Sequence, residues 1–297
     1  MTKKVGRLPN RTERKKAARA DAQLLDCAFC DENKGGSKED VWPNWMWTIF
    51  KREEDTRILE VNYWNAETVV DIGPRAALTN FGICSDCNTG WMQKIEDAAS
   101  PIFKNLIRAR DSEITIRERS ILLDWMMKTA MTLETRPSMP AQFFTRDERK
   151  VFRLAMKGLT TESPYPNVLR LWITGLFPRL GTPYSLPLPG HFEMTNGLKK
   201  LRIECFAFTF AGGYLALQLV AARYPPGIDS SVAFFVASNP RFDEVTRLYP
   251  STPGRIDHWP PRLMLIDPHS RIDEFALRFS VPDPVAFSAD GTLIKKT

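Results

Sequence analysis

The sequence predicts an α+β protein in which a small cysteine-held module precedes a group of helices and then an antiparallel sheet. Three observations lead there. Two CxxC pairs, Cys27-Ala-Phe-Cys30 and Cys84-Ser-Asp-Cys87, converge only if the chain between them folds back. Two helix-start signatures follow, Thr115-Ile-Arg-Glu118 and Thr145-Arg-Asp-Glu148, each pairing a threonine cap with a glutamate that reaches back to it. Alternating apolar segments then dominate the second half, at 168–174, 201–210, 214–220 and 232–236. The 297 residues are enough for two domains. The expected division is a basic disordered arm at 1–20, a cysteine module at 21–100 and an α+β domain at 101–297.

The cysteines carry the strongest chemical signal. A CxxC turn places two thiolates on one side of a metal ion, and a second pair supplies the other two corners of the tetrahedron that zinc favours. The alternatives are two disulfides or four separate buried thiols. Paired CxxC spacing without secretory features favours zinc held by Cys27, Cys30, Cys84 and Cys87. Cys205 lies alone in an alternating apolar run with Phe206, Phe208 and Phe210 and reads as a packed strand residue.

Composition narrows the classes of function. The net charge is +6, and residues 1–20 hold eight lysines and arginines against Glu13, a local charge of +7 on a near-neutral body. Such an arm suits binding to a phosphate backbone, and equally a solubilising tail or localisation signal. No apolar run before Leu24 resembles a signal peptide, and the stretch 203–222 is broken by Glu204, Gly212, Gly213 and Gln218. A cytoplasmic protein with no membrane span is therefore expected. No nucleotide-binding loop and no serine or cysteine nucleophile motif is present, which argues against a nucleotide cofactor.

Taken in order, the arm lacks apolar periodicity beyond a weak stripe from Ala17 to Leu25. A polar, glycine-containing loop follows Cys30. The run Trp42-Pro-Asn-Trp45-Met-Trp47 is too aromatic for a solvated loop and is expected to pack around the cysteine module. Residues 58–72 alternate like a hairpin, with Asn65-Ala66 at the turn. Past Cys87, Trp91, Met92, Ile95 and Ala99 have helical spacing, and Ser100-Pro101 offers the start of a further helix with Ile102, Phe103 and Leu106. Knuckle, hairpin and a CxxC at a helix start are the parts of a treble clef zinc finger. Downstream, the helix opened by Thr115 places Ile121, Leu122, Trp125, Met126, Thr129 and Leu133 on one face, and Gly158 ends the next. Met126, Met127 and Met131 read as core. Ala211-Gly-Gly213 is expected to turn a hairpin, proline-rich loops are expected at 183–189, 225–226 and 260–261, and a short helix at 272–279.

The residues also resemble a family. Cys27-x-x-Cys30, then Ser37-x-Glu39-x-Val41-Trp42-Pro43-x-Trp45, then Cys84-x-x-Cys87-Asn88-x-Gly90-Trp91-Met92, is similar to the HNH endonuclease type of treble clef, in the tryptophan-rich bacterial and phage form. The likeness covers residues 27–96, with looser similarity at Trp125-x-x-Lys128-Thr129 and Trp259-Pro-Pro261. It implies a metal-dependent DNA endonuclease in which Glu39 and Asn88 hold a catalytic cation and Asn80 orients the base. The position of the motif histidine is Asp40. An aspartate, with a reference pKa of about 3.9, is a far weaker base than a histidine near 6.5. Glu39 and Asp40 could instead hold Mg²⁺ or Mn²⁺, both of which prefer oxygen ligands.

His191, His258 and His269 are remote from the motif and read as loop or surface residues. Three functions therefore compete: a nuclease, a non-catalytic zinc module that binds nucleic acid, and a protein-interaction factor. Loss of zinc is expected to unfold residues 20–100 while the second domain survives. Sequence patterns leave the oligomeric state undetermined.

Overall fold

The computed structural model describes residues 25–50, 59–61, 69–71, 79–136, 142–166, 168–196, 199–223, 246–249, 259–261, 264–266, 286–287 and 293–294. The expected arm at 1–20, the turn at 65–66, the prolines at 225–226, the strand at 232–236, the helix at 272–279, and His258 and His269 lie outside them. Helix and largely antiparallel sheet combine as an α+β fold. Among the described residues no helix is long and apolar enough to cross a membrane.

The first strand, β1 (Ser37–Asp40), pairs antiparallel with the distant β4 (Thr79–Ile83), with Glu39 opposite Asn80 and Asp40 opposite Thr79. Between them lie a 3-10 turn at Asn44–Thr48 and the hairpin β2 (Leu59–Val61) with β3 (Val69–Asp71). The hairpin expected at 58–72 therefore forms, but the strand pair beside the cysteines is β1 with β4. Its two halves are too far apart in sequence for a local signal.

Cys84 caps the short α1 (Ser85–Cys87), its sulfur accepting from the Cys87 amide. A π segment, Asn88–Met92, leads into α2 (Gln93–Ile107), and Gly90, at ψ −106°, breaks the helical path between them. One helix rather than two spans Ser100-Pro101. Proline removes one backbone donor, but Ile95, Ala99, Ile102, Phe103 and Leu106 form a continuous buried face that holds the helix together. The boundary drawn at residue 100 thus falls inside a helix.

Both expected capping boxes are present. They start α3 (Ile116–Glu134) and α4 (Arg146–Met156). Gly158, at φ +68°, ends α4 with paired bonds from Gly158 N to Ala155 O and from Leu159 N to Leu154 O. Met126, Met127 and Met131 are fully buried in α3, as core residues.

The large sheet departs most from expectation. β5 (Val168–Asn196) and β6 (Lys199–Arg223) form one long antiparallel pair that closes at Asn196 opposite Lys199. Ala211-Gly-Gly213 is not a hairpin turn. It lies within β6, opposite the bulged stretch of β5 between Gly175 and Tyr184. These glycines serve close approach: a Cβ on Gly213 (φ +60°) would strike the backbone carbonyl of Ile107 at the end of α2, and one on Gly212 would lie 2.6 Å from the Phe50 ring. The proline-rich stretch 183–189 is strand too. Pro183, Pro187 and Pro189 alternate with the residues between them, so their missing amides share one side of β5. Among the described residues, the earlier part of β5 also pairs with β7 (Thr246–Tyr249), antiparallel, and with β8 (Met264–Ile266), parallel. The last strands, β9 (Ala286–Phe287) and β10 (Leu293–Ile294), pair with each other.

One hydrophobic core joins the two expected domains. Phe103 of α2 sits at its centre, with ring centroids 5.7 Å from Trp45, 4.5 Å from Trp125 and 5.6 Å from Phe210. Trp42 stacks on Trp47 and meets Phe210 edge-on, while Phe29 meets Trp91 edge-on and Trp91 in turn meets Phe152 of α4. The tryptophan-rich run is therefore core, packed against the carboxy-terminal elements as well as the cysteines. Trp259 closes the far side, its indole donating to Leu106 O at 2.9 Å.

Two stability predictions follow from this packing. Gly213→Ala combines left-handed strain with a backbone clash and should cost at least ~2 kcal/mol in urea unfolding. Glu134, fully buried at the end of α3, accepts from Phe143 N and Phe144 N at 2.8 and 3.0 Å. Burial pushes its carboxyl up to about 7 against those amides. With the folded value above the unfolded one, the native state holds the extra proton. The Glu134 contribution is then greatest below about pH 4.5 and is lost as pH rises towards 7, by roughly 1–3 kcal/mol. Glu134→Gln should remove that part of the slope in unfolding curves measured across this window.

Candidate metal centre

The four cysteines of the two pairs meet. Cys27, Cys30, Cys84 and Cys87 are all buried and their sulfurs lie within 4.8 Å of one another, with Cys30 Sγ 3.7 Å from Cys84 Sγ. They are free thiols. Backbone pairing brings them together. Cys27 N donates to Asn33 O at 2.9 Å and closes the knuckle, while Ala28 N donates to Gly82 O at 2.9 Å and pins it to β4. The Cys84 amide donates to Cys27 Sγ at 3.3 Å, across the gap between the pairs.

The electrostatics favour a thiolate at Cys27. Cys27 is pulled down to about 5, chiefly by the Cys87 thiol, which donates to it, and by the amides of Phe29, Cys84 and Cys30 working against burial. Cys87 is pushed up by that same bond and by burial, and burial pushes Cys84 up to about 11. Four buried thiols at this spacing can hold a metal ion. Cys205 is separate from them, and burial alone pushes it up to about 11.

Positive charge from α4 surrounds the centre. Arg153, almost fully buried, donates to both oxygens of Glu32 at 2.8 and 2.9 Å, and the sulfurs of Cys87 and Cys30 help to hold it charged. Arg149 donates to Ala28 O in the knuckle at 3.2 Å. Arg146 and Lys150 pair with Asp31 at 3.0 and 2.6 Å.

The carboxylates expected to hold a catalytic cation are placed differently from one another. Glu39 points inward and is 4% exposed. The Lys128 ammonium of α3 lies 2.6 Å from its Oε1 as an ion pair lacking hydrogen-bond geometry, and donates at 2.5 Å to Glu96 of α2. Lys128 is wholly buried; burial pulls its pKa down, but Glu39 and Glu96 outweigh that and leave it charged. Two carboxylates share one ammonium. Burial first, and then Glu96, therefore raises Glu39 despite Lys128.

Asp40 faces the other way and pairs with Lys38 at 3.2 Å. Asn88 Nδ2 donates to Ser37 Oγ at 2.8 Å and to Lys38 O at 3.0 Å, so it ties the start of the helix to β1. Asn80 is buried and donates to Thr132 O and Thr135 Oγ1, while its Oδ1 accepts from Gly82 N at 2.8 Å. Glu39 and Asn80 are cross-strand neighbours, yet their side chains are engaged by Lys128 and by the end of α3 respectively. His191 lies on β5 opposite Glu204.

Sequence reasoning assigned no role to Lys128 or Glu96. The available signal was a lone charge inside the apolar run Trp125-Met-Met-Lys128-Thr-Ala-Met131, which a helix buried on that face must neutralise. Lys128→Met should cost ~3–5 kcal/mol in urea unfolding, since it leaves two carboxylates facing each other in the core. Adding Glu39→Leu and Glu96→Gln to that variant should restore most of the loss.

Comparison with protein family models, with curated proteins and with solved structures finds no match to this chain.

Proposed function

We propose that this chain is a zinc-held, HNH-like protein that binds nucleic acid, DNA foremost, and that its hydrolytic centre is degenerate. The observation that carries this reading is the Lys128 ammonium, buried between Glu39 and Glu96 where the family resemblance would put a divalent cation. An ammonium at that distance competes directly with Mg²⁺ or Mn²⁺ for the carboxylate. The base position favours the same reading. Asp40, where the resembling family carries histidine, is paired with Lys38 at 3.2 Å.

Zinc is the ion the four thiols suit best. Bonds of about 2.3 Å to four tetrahedral thiolates put the sulfurs about 3.8 Å apart, close to the 3.7 Å between Cys30 and Cys84. That spacing has room for one ion rather than a cluster of them. The order of knuckle, paired strands β1 and β4, and CxxC at a helix start supports a treble clef with residues 41–78 inserted between its two strands. Structural zinc supplies apparent binding energy on the order of 10–16 kcal/mol, comparable with the roughly 5–15 kcal/mol stability of a whole domain. Nucleic acid is favoured by the +7 arm and by the HNH-like motif itself.

Metal analysis of purified protein should find one zinc per chain. Because the core is shared, chelation or Cys87→Ser should unfold α2 and α3 along with the knuckle, as read by hydrogen exchange; a metal-free protein with native exchange would remove zinc from the reading. In plasmid cleavage with added Mg²⁺ or Mn²⁺, wild type and Asp40→His should both be inert while still binding DNA. Cleavage by wild type that disappears in Glu39→Ala would show a working centre and overturn the degenerate one.

A further inference from the structure

A polar cavity of about 420 Å³ opens beside the cysteine centre, on the loop that joins the knuckle to β1 and on the first residues of α1. Lys34, Lys38, Ser37 and Ser85 are among the residues that line it. Gly36, at φ 110°, allows the loop to bend around it. Asp86 is the one acid in the lining, and its carboxylate accepts from Asn33 Nδ2 at 3.0 Å.

The hydroxyl of Ser37 accepts from Asn88 Nδ2, which leaves its own proton to donate. Asn88 also fixes Lys38 O, so one side chain sets the rim on which both Ser37 and Lys38 sit. The opposite rim is anchored by Gly35 N donating to Leu25 O at 3.0 Å. Lys34 and Lys38 pair with Asp26 at 2.6 Å and Asp40 at 3.2 Å, but both amines are well exposed. Exposed pairs of this kind hold their partners weakly, and an anion with more than one oxygen can draw the amines away.

We infer that this cavity binds a backbone phosphate of nucleic acid through Lys34, Lys38, Ser37 and Ser85. It offers cationic and hydroxyl donors and no aromatic surface on which a base would stack, so it suits the sugar-phosphate strand. This rests on the proposed nucleic-acid reading and adds to it a contact within the folded body, separate from the arm. Asn88 becomes a positioning residue for the phosphate loop.

The test is fluorescence anisotropy with duplex DNA and full-length, zinc-loaded protein over a range of salt. Lys34→Gln combined with Lys38→Gln should weaken binding about tenfold at low salt and reduce the slope of log affinity against log salt by about one to two. Asp86→Asn, which removes the cavity's negative charge, should tighten binding several-fold. All three side chains are exposed, and a thermal melt checks that the variants fold.

An unchanged slope in the lysine pair, with wild type still binding DNA, overturns the cavity site and leaves the nucleic-acid reading standing. Failure of wild type to bind DNA overturns both. Inorganic phosphate added at matched ionic strength separates the two sources of the ligand. Phosphate that binds the cavity while DNA binding is indifferent to the lysine pair assigns it to free phosphate and overturns the proposal.

Discussion

A lysine ammonium with no exposure to water dictates where three segments of this chain meet. Lys128 arrives on α3, Glu39 on β1 and Glu96 on α2, and no one of them could be buried at acceptable cost without the others. A cluster of this kind adds little net stability over an apolar replacement. Its effect is on alternatives: any other seating of β1 against α3 strands a bare charge in the core. The same contact ties the strand beside the cysteines to α3.

The thiol centre is bound into the body by charge as well as by packing. Four thiolates around a divalent ion carry a net charge of −2, and a centre this deep needs compensation nearby. α4 supplies it through Arg149, which reaches the knuckle carbonyl of Ala28, and Arg153, which is buried against Glu32. Phe152, between them, packs on Trp91 two turns into the helical segment that carries Cys87. The helix opened by Thr145 is therefore part of the setting of the proposed zinc centre, although it lies some sixty residues beyond Cys87.

Reading the sequence worked best where the physics is local. The capping boxes at Thr115 and Thr145 hold as drawn, because each involves a side chain and an amide three residues away. Gly158 ends its helix for the same reason. The methionines of α3 are core, as the helical period implies. Errors arose where a residue type has two uses. Gly212 and Gly213 were read as a turn, but they serve the approach of Ile107 and Phe50 to a continuous strand. Pro101 was read as a helix start, yet a sufficiently apolar face carries α2 straight past it. The prolines at 183–189 read as a loop, yet they lie within β5, where it pairs with β6.

Cysteine spacing alone was enough to predict that four thiols converge where they could hold a metal ion. The two threonine–glutamate capping boxes were enough to specify where α3 and α4 begin. The partner of each buried charge was not specified. A lysine inside an apolar run announces that a carboxylate must come to it, but not which one, because the answer depends on β1 pairing with β4 across an insertion of nearly forty residues. Only the folded chain decides that Glu39 faces an ammonium, that Asp40 faces outward, and that Asn88 ties a loop. Those outcomes follow from long-range strand register and shared packing, which no local pattern encodes.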